Sequence, residues 1–206
     1  MFLPLSFNLE GKKILLVGGG KAALEKFAQL SRAGCRLIII APWFSEAMQA
    51  ALAKPNLSQI EIHNRKFEDA DIEDCFMVFT AVDDESVAEH IFRLCRSRNL
   101  LINSADDKAR CDFYTTAVID RGSIQVAVST HGRFAGVSAI LRRHLEELFP
   151  AELEDDWEKI FALRARAVTL QSAIEKKSVI TDIVRQIESR YFGKQTNGVG
   201  DERRQD

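Results

Sequence analysis

No stretch of this 206-residue sequence is apolar for long enough to cross a bilayer. Runs such as Leu37–Ala41 and Phe76–Val82 fall far short of the roughly 20 residues a membrane helix needs. Neither sign of charge dominates. With 28 Lys and Arg against 30 Asp and Glu the net charge is −2, so no basic excess exists to hold nucleic acid as a main partner. Cysteine is sparse: Cys35, Cys75, Cys95 and Cys111 form no CxxC pair, and they read as reduced, mostly buried thiols in a reducing compartment. No two His or Cys share metal-ligand spacing, so no permanent metal site is expected. No basic residue precedes the apolar part of the N-terminus, MFLPLSFNLEGKK, which argues against a signal peptide and leads to an expected cytoplasmic location. The only two tyrosines, Tyr114 and Tyr191, have no lysine four residues on, which removes the Tyr-x-x-x-Lys pair of short-chain reductases.

What is present is ordinary globular composition: 46% hydrophobic and 28% charged, which excludes wholesale disorder. A chain of this size buries about 70% of the surface it exposes when unfolded, enough for a true core. The first half alternates short apolar runs with helical patterns. Lys13–Val17, Arg36–Ala41, Ile60–His63, Phe76–Val82 and Leu100–Asn103 read as five strands. Helical spacing follows the first in Leu24, Phe27, Ala28 and Ser31, and the fourth in Val87, Ile91, Leu94 and Cys95. Strands separated by helices predict an α/β fold with a parallel sheet. Beyond residue 113 the rhythm changes: Phe113–Ile119 and Ser123–Thr130 are β-rich runs joined at Asp120-Arg121-Gly122, which reads as a hairpin. From Gly136 to about Tyr191 the pattern is helical, and 193–206, with Val199 its one aliphatic residue, is expected to be disordered.

The junction after the first strand carries Val17-Gly18-Gly19-Gly20-Lys21-Ala22-Ala23, a G-x-G-x-x-A pattern between strand and helix. A dinucleotide site needs these types: Gly18 for the tight turn, Gly20 for backbone approach to a pyrophosphate, Ala23 for close helix–strand packing. The acid that commonly grips the adenosine ribose after the second strand is absent, since Ala41-Pro42-Trp43 stands there. No arginine for a 2′-phosphate stands there either, which favours NAD over NADP. Trp43 reads either as an exposed adenine platform or as a packing residue.

Ligands of open parallel sheets collect at the carboxyl ends of strands, and two acidic pairs fall there, Asp83-Asp84 and Asp106-Asp107. Carboxylates in such loops serve as general bases or hold cations; for Asp83, Asp84 and Asp107 the competing reading is a turn or helix cap. His63, His90 and His144 sit in strand or helix patterns and read as surface or core residues. His131, in a loop, is a candidate proton carrier or Fe²⁺ ligand set against an incidental loop histidine.

The chain resembles the precorrin-2 dehydrogenase/sirohydrochlorin ferrochelatase family, the N-terminal module of siroheme synthases. The likeness rests on Pro4-Leu5-Ser6-Phe7-Asn8-Leu9, the run Val17–Lys26, Asn103-Ser104-Ala105-Asp106, Ala117-Val118-Ile119-Asp120-Arg121-Gly122 and Val126-Ala127-Val128-Ser129-Thr130, in order across residues 3–146. It implies a Rossmann-type NAD-binding domain over residues 1–112, a small strand-rich dimerisation domain over 113–147 and a helical domain over 148–192, in a homodimer. It further implies NAD-dependent oxidation of precorrin-2 to sirohydrochlorin and, in bifunctional members, Fe²⁺ insertion, with iron as substrate. The family's catalytic Asp falls on Asp106, as general base. Cofactor contacts fall on Gly18, Gly19, Gly20, Lys21, Ala22, Pro42 and Trp43, with Asp83 added at the end of the fourth strand. Asn103, Ser129, Thr130, His131 and Arg133 are assigned to the substrate. A substrate with eight carboxylates calls for cations, and Arg110, Arg121, Arg133, Arg142 and Arg143 are candidates set against solvated surface arginines.

One departure stands out. Where the family reads G-G-x-S-P after Ser-Thr, this chain has His131-Gly132-Arg133-Phe134-Ala135, on a loop expected to border the tetrapyrrole. The competing function is a Rossmann module that senses NAD and controls a partner. Such modules usually carry an acid after the second strand and have no need of Asp106 in its N-x-x-D context. Binding of NAD without tetrapyrrole turnover separates the two.

Overall fold

The computed structural model describes residues 2–54, 59–151 and 154–189. Five strands, β1 (Lys13–Val17), β2 (Arg36–Ile40), β3 (Ile60–His63), β4 (Met77–Thr80) and β5 (Leu101–Ser104), pair in parallel in the order β3-β2-β1-β4-β5. Successive strands are added outward from β1 to β3 on one side and then from β4 to β5 on the other, so the switch point lies between β1 and β4, beside the glycine loop. The central strands are apolar on both faces, as a parallel sheet covered twice requires. Ile14, Leu16, Leu37, Ile39, Met77 and Phe79 meet α1 (Lys21–Leu30) through Ala23, Phe27 and Leu30, and α2 (Glu46–Leu52) through Met48. The alternate residues Leu15, Val17, Ile38, Ile40, Val78 and Ile102 meet Ile91 and Cys95 of α3 (Glu85–Ser97) on the other face. Each fully buried Leu or Ile of this kind contributes about 1.5–3 kcal/mol.

Helix α2 had no counterpart in the sequence pattern. It is seven residues long, buries only Met48 and depends on Ser45, whose hydroxyl accepts from Met48 N at 3.3 Å. One apolar anchor makes no periodic stripe.

The small sheet pairs β6 (Ala117–Arg121) with β7 (Ile124–Val128) antiparallel. It starts later than the expected Phe113, because residues 113–115 are held by side chains: Asn103 Nδ2 donates to Phe113 O at 2.8 Å and Lys26 Nζ to Thr115 Oγ1 at 3.1 Å. The turn also falls later than expected. Asp120 and Arg121 remain paired with Gln125 and Ile124, and the chain reverses at Gly122-Ser123, with Gly122 at φ +64°. Three helices follow, α4 (Ala135–Leu148), α5 (Glu154–Val168) and α6 (Ala173–Ile187).

The chain divides into two compact units. Of the described residues, the first contains those up to Thr116 together with Ser129–Ala135, and the second contains Ala117–Val128 together with those from Gly136 onward. The second unit buries Ile119, Trp157, Ala167 and Ile183, yet leaves Val118, Ile140, Leu141, Leu148, Leu163 and Ile174 exposed. The tail over 193–206 lies outside the described residues. Among the described residues no helix is long and apolar enough to cross a membrane.

Candidate functional site

The glycine loop is wedged between the loops that follow β2 and β4. Gly18 has φ +137°, and a Cβ there would stand 2.1 Å from Ala81 O; its N–H donates to Ile40 O at 2.9 Å. A Cβ on Gly19 would stand 2.0 Å from Trp43 O. Both positions therefore tolerate hydrogen alone. Gly20 differs: the nearest atom to its Cβ site is the Trp43 ring at 3.8 Å, so the cradle is open there. Gly20 is also the N-cap of α1, whose first turn has no side-chain cap and no acid. Uncapped N–H groups at a ten-residue helix, approached over glycine, fit a dinucleotide pyrophosphate. Lys21 and Ala22 lie in this turn; Lys21, Pro42 and Trp43 are exposed, Trp43 at 55%. Lys26, one turn further along α1, turns inward instead. Its ammonium lies 5.9 Å from the centre of the Phe79 ring, and burial holds its pKa below the usual lysine value.

The acids after β4 and β5 fall into two kinds. Asp84 caps α3: its Oδ1 accepts from Ser86 N, Val87 N and Ser86 Oγ at 2.9, 3.3 and 2.6 Å, and these bonds hold the carboxyl below its usual range. Asp107 caps the short 3-10 turn Lys108–Arg110 through Ala109 N at 2.8 Å. Asp112 accepts from Ile102 N at 3.0 Å and pairs with Arg96 at 2.6 Å. Asp83 and Asp106 are exposed and have no hydrogen-bond or ion-pair partner among the described residues. Three acids thus build the loops and two are left to solvent, on the sheet end that carries the glycine cradle.

Asn103, the last residue but one of β5, is only 2% exposed. Its amide is committed to Phe113 O, and its Oδ1 is a buried acceptor without a partner. The segment Ser129–Ala135 belongs to the same compact unit as Asp106. Ser129 Oγ accepts from His131 N at 3.1 Å, and Thr130 Oγ1 accepts from Phe134 N at 3.2 Å. His131 has φ +53° and stacks on Phe2 with ring centres 5.1 Å apart. Gly132 lies against Tyr114, whose ring would be 2.7 Å from a Cβ there, while the Tyr114 hydroxyl reaches Lys108 O at 3.4 Å. Tyr114, which no sequence motif singled out, therefore links the 129–135 loop to the loop of Asp106. Its rarity in the chain was the one available signal.

The candidate arginines are sorted in the same way. Arg110 is paired with acids, Arg142 with Glu146, and Arg121 Nε donates to Phe149 O at 2.6 Å. Arg133 and Arg143 have no ion pair among the described residues. Of the histidines, His63 meets Glu61 at 2.9 Å and His90 meets Asp69 at 2.6 Å. Among the described residues no three His, Cys, Asp or Glu side chains come together as a metal-binding set.

Against known proteins, residues 5–117 match the NAD(P)-binding family NAD_binding_7. Siroheme synthase of Nitrosococcus oceani is 35% identical over 149 residues, 72% of this chain and 31% of that protein. Siroheme biosynthesis protein met8 of Schizosaccharomyces pombe is 32% identical over 145 residues, 70% of this chain and 54% of that protein. The chain thus spans about a third of the siroheme synthase and about half of the met8 protein. The solved structure of SirC, precorrin-2 dehydrogenase, shares the fold at TM-score 0.77, covering 90% of this chain and 91% of that one at 20% identity.

Proposed function

The chain belongs to the NAD(P)-binding family matched over residues 5–117, and from that premise we propose that it is a precorrin-2 dehydrogenase, oxidising precorrin-2 to sirohydrochlorin with NAD. The observation that carries the reading is the free carboxylate of Asp106 on the same sheet end as an uncapped, glycine-lined helix N-terminus. The first-turn N–H groups of α1 hold the pyrophosphate, with exposed Lys21 beside it, while the loop at Pro42 and Trp43 receives the adenosine. When bound, NAD supplies the hydride acceptor. Removal of two hydrogens from the reduced macrocycle then leaves one proton, which the Asp106 carboxylate takes as the new double bond forms. Asp83 completes the cofactor side. Asn103, Ser129, Thr130, His131 and Arg133 frame the substrate, with Arg133 the free cation for its carboxylates. The apolar residues left exposed in the second unit support a homodimer built through 113–147, and a monomeric mass at micromolar concentration would count against it.

The test is an anaerobic assay of precorrin-2 with NAD, followed by absorbance, and then with Fe²⁺. Sirohydrochlorin formed only with NAD establishes the dehydrogenase. Conversion by iron above the uncatalysed rate assigns the chelatase step to the same chain. Measurable NAD binding without turnover would instead support the sensing module.

A further inference from the structure

Loop 105–110 is anchored at its ends and along its length: Ala105 N donates to Thr80 O at 2.8 Å, Cys111 Sγ to Asp107 O at 3.4 Å and the Tyr114 hydroxyl to Lys108 O at 3.4 Å. Cys111 Sγ accepts from Ser104 N at 3.3 Å, Asp112 N donates to Ile102 O at 2.9 Å, and Asn103 holds Phe113. These last three lie at its base. Among the described residues one side chain of the loop, that of Arg110, ties it to α3. Arg110, with its side chain only 13% exposed, directs its guanidinium at the first two turns of α3. Nη1 donates to Glu85 Oε2 at 3.2 Å and Nη2 to Glu85 Oε1, while Nη2 also lies 3.1 Å from Glu89 Oε2. Its Nε faces Asp107 Oδ2 at 3.5 Å, next to Asp106 in the chain. The planar guanidinium thus joins both ends of one junction: the neighbour of Asp106 and the start of α3, two residues after Asp83. A forked donor bonded to two oxygens of one carboxylate fixes orientation as well as distance.

We propose that Arg110 is a positioning residue that sets where Asp106 stands relative to the β4–α3 loop, and so relative to the bound cofactor. This rests on the reading of Asp106 as the base. The guanidinium itself is engaged by the carboxylates of Glu85, Glu89 and Asp107. A general base must sit within hydrogen-bond reach of its proton, and misplacement by about 1 Å can cost on the order of 10²-fold in rate. A lysine at 110 keeps the charge but cannot make the forked contact.

The experiment compares the full chain with Arg110→Ala and Arg110→Lys by amide hydrogen exchange, NAD affinity and steady-state kinetics. In Arg110→Ala, exchange over 105–110 rises by about tenfold or more while β5 stays protected. Turnover falls by about 10- to 100-fold with NAD affinity unchanged, and Arg110→Lys lies between the two. Unchanged exchange over 105–110 would overturn the proposal. So would loss of protection across β5 with a parallel loss of NAD binding, which marks a merely structural role. If the parent chain turns over no precorrin-2, the proposed function fails, and the exchange arm still decides whether Arg110 places the loop.

Discussion

The two halves of the sheet's carboxyl end are built from different materials. On the β1–β2 side the site is backbone: three glycines, an uncapped helix start, and the Trp43 carbonyl, met by that of Ala81 from the β4 loop, pressed where side chains would be. On the β4–β5 side it is side chain: Asp84, Asp107 and Asp112 as caps and struts, Arg110 as a bridge, Asp83 and Asp106 left over. The first half is suited to holding an anion, because fixed N–H dipoles need no counter-charge and do not titrate. The second is suited to chemistry, because a carboxylate with no competing partner is free to accept a proton.

The sharpest way to separate the halves is Asp106→Ala. Turnover should fall by about 10²–10⁴-fold while the dissociation constant for NAD stays the same. Near-normal turnover would remove Asp106 from the reaction, and lost NAD binding would mean that the two halves are not separable. The converse variant is Gly19→Ala. Its Cβ would meet the backbone oxygen of Trp43 at 2.0 Å, which has no side-chain freedom to yield, so the β1 and β2 loops must part. Overpacking of this kind costs about 1–3 kcal/mol in stability, and NAD affinity should fall by about tenfold or more. Thermal melting and NAD titration read the two effects; an unchanged affinity would show that the cradle is not the phosphate site.

The backbone half was legible in the sequence because its requirement is steric. Only glycine meets it at Gly18 and Gly19, so G-G-G after an apolar strand announces the turn. The carboxylate half was legible only as a cluster. Asp83, Asp84, Asp106 and Asp107 look alike in one dimension, and which of them cap helices depends on where α3 and the 3-10 turn begin. In sequence Arg110 reads equally as a substrate cation or a solvated surface arginine for the same reason, since its partners Glu85 and Glu89 are more than 20 residues away in the chain. Strands buried on both faces were recovered almost to the residue. Helix α2, with Met48 as its sole buried residue, and the late start of β6, set by Asn103 and Lys26, depend on contacts that no local period records.

A smaller effect tests how far the backbone half extends. Trp43 is more than half exposed and its ring edge borders the open face of Gly20. Trp43→Ala should leave stability within about 0.5 kcal/mol. If the indole stacks on the adenine, NAD affinity drops by the equivalent of about 0.5–1.5 kcal/mol. A melting temperature that falls with no change in NAD affinity would make Trp43 a packing residue.

The smallest effect distinguishes the halves by pH. Glu85 has its pKa held below the usual 4.5, chiefly by its hydrogen bond to Arg110. A depressed folded-state value means that the ionised, paired form prevails above about pH 4.5 and that its contribution is lost as pH falls through the lower folded value. The Glu85 carboxylate is largely exposed, so the change in overall stability is slight. The carboxyl resonance of Glu85 should therefore titrate below 4.5 in the parent chain and move back up in Arg110→Ala. Through the same acid range the glycine cradle presents no titrating group, and the N–H donors proposed to hold the pyrophosphate stay as they are. A Glu85 midpoint that ignores the arginine would break the bridge between the loops, and with it the claim that this half of the site is assembled by charge.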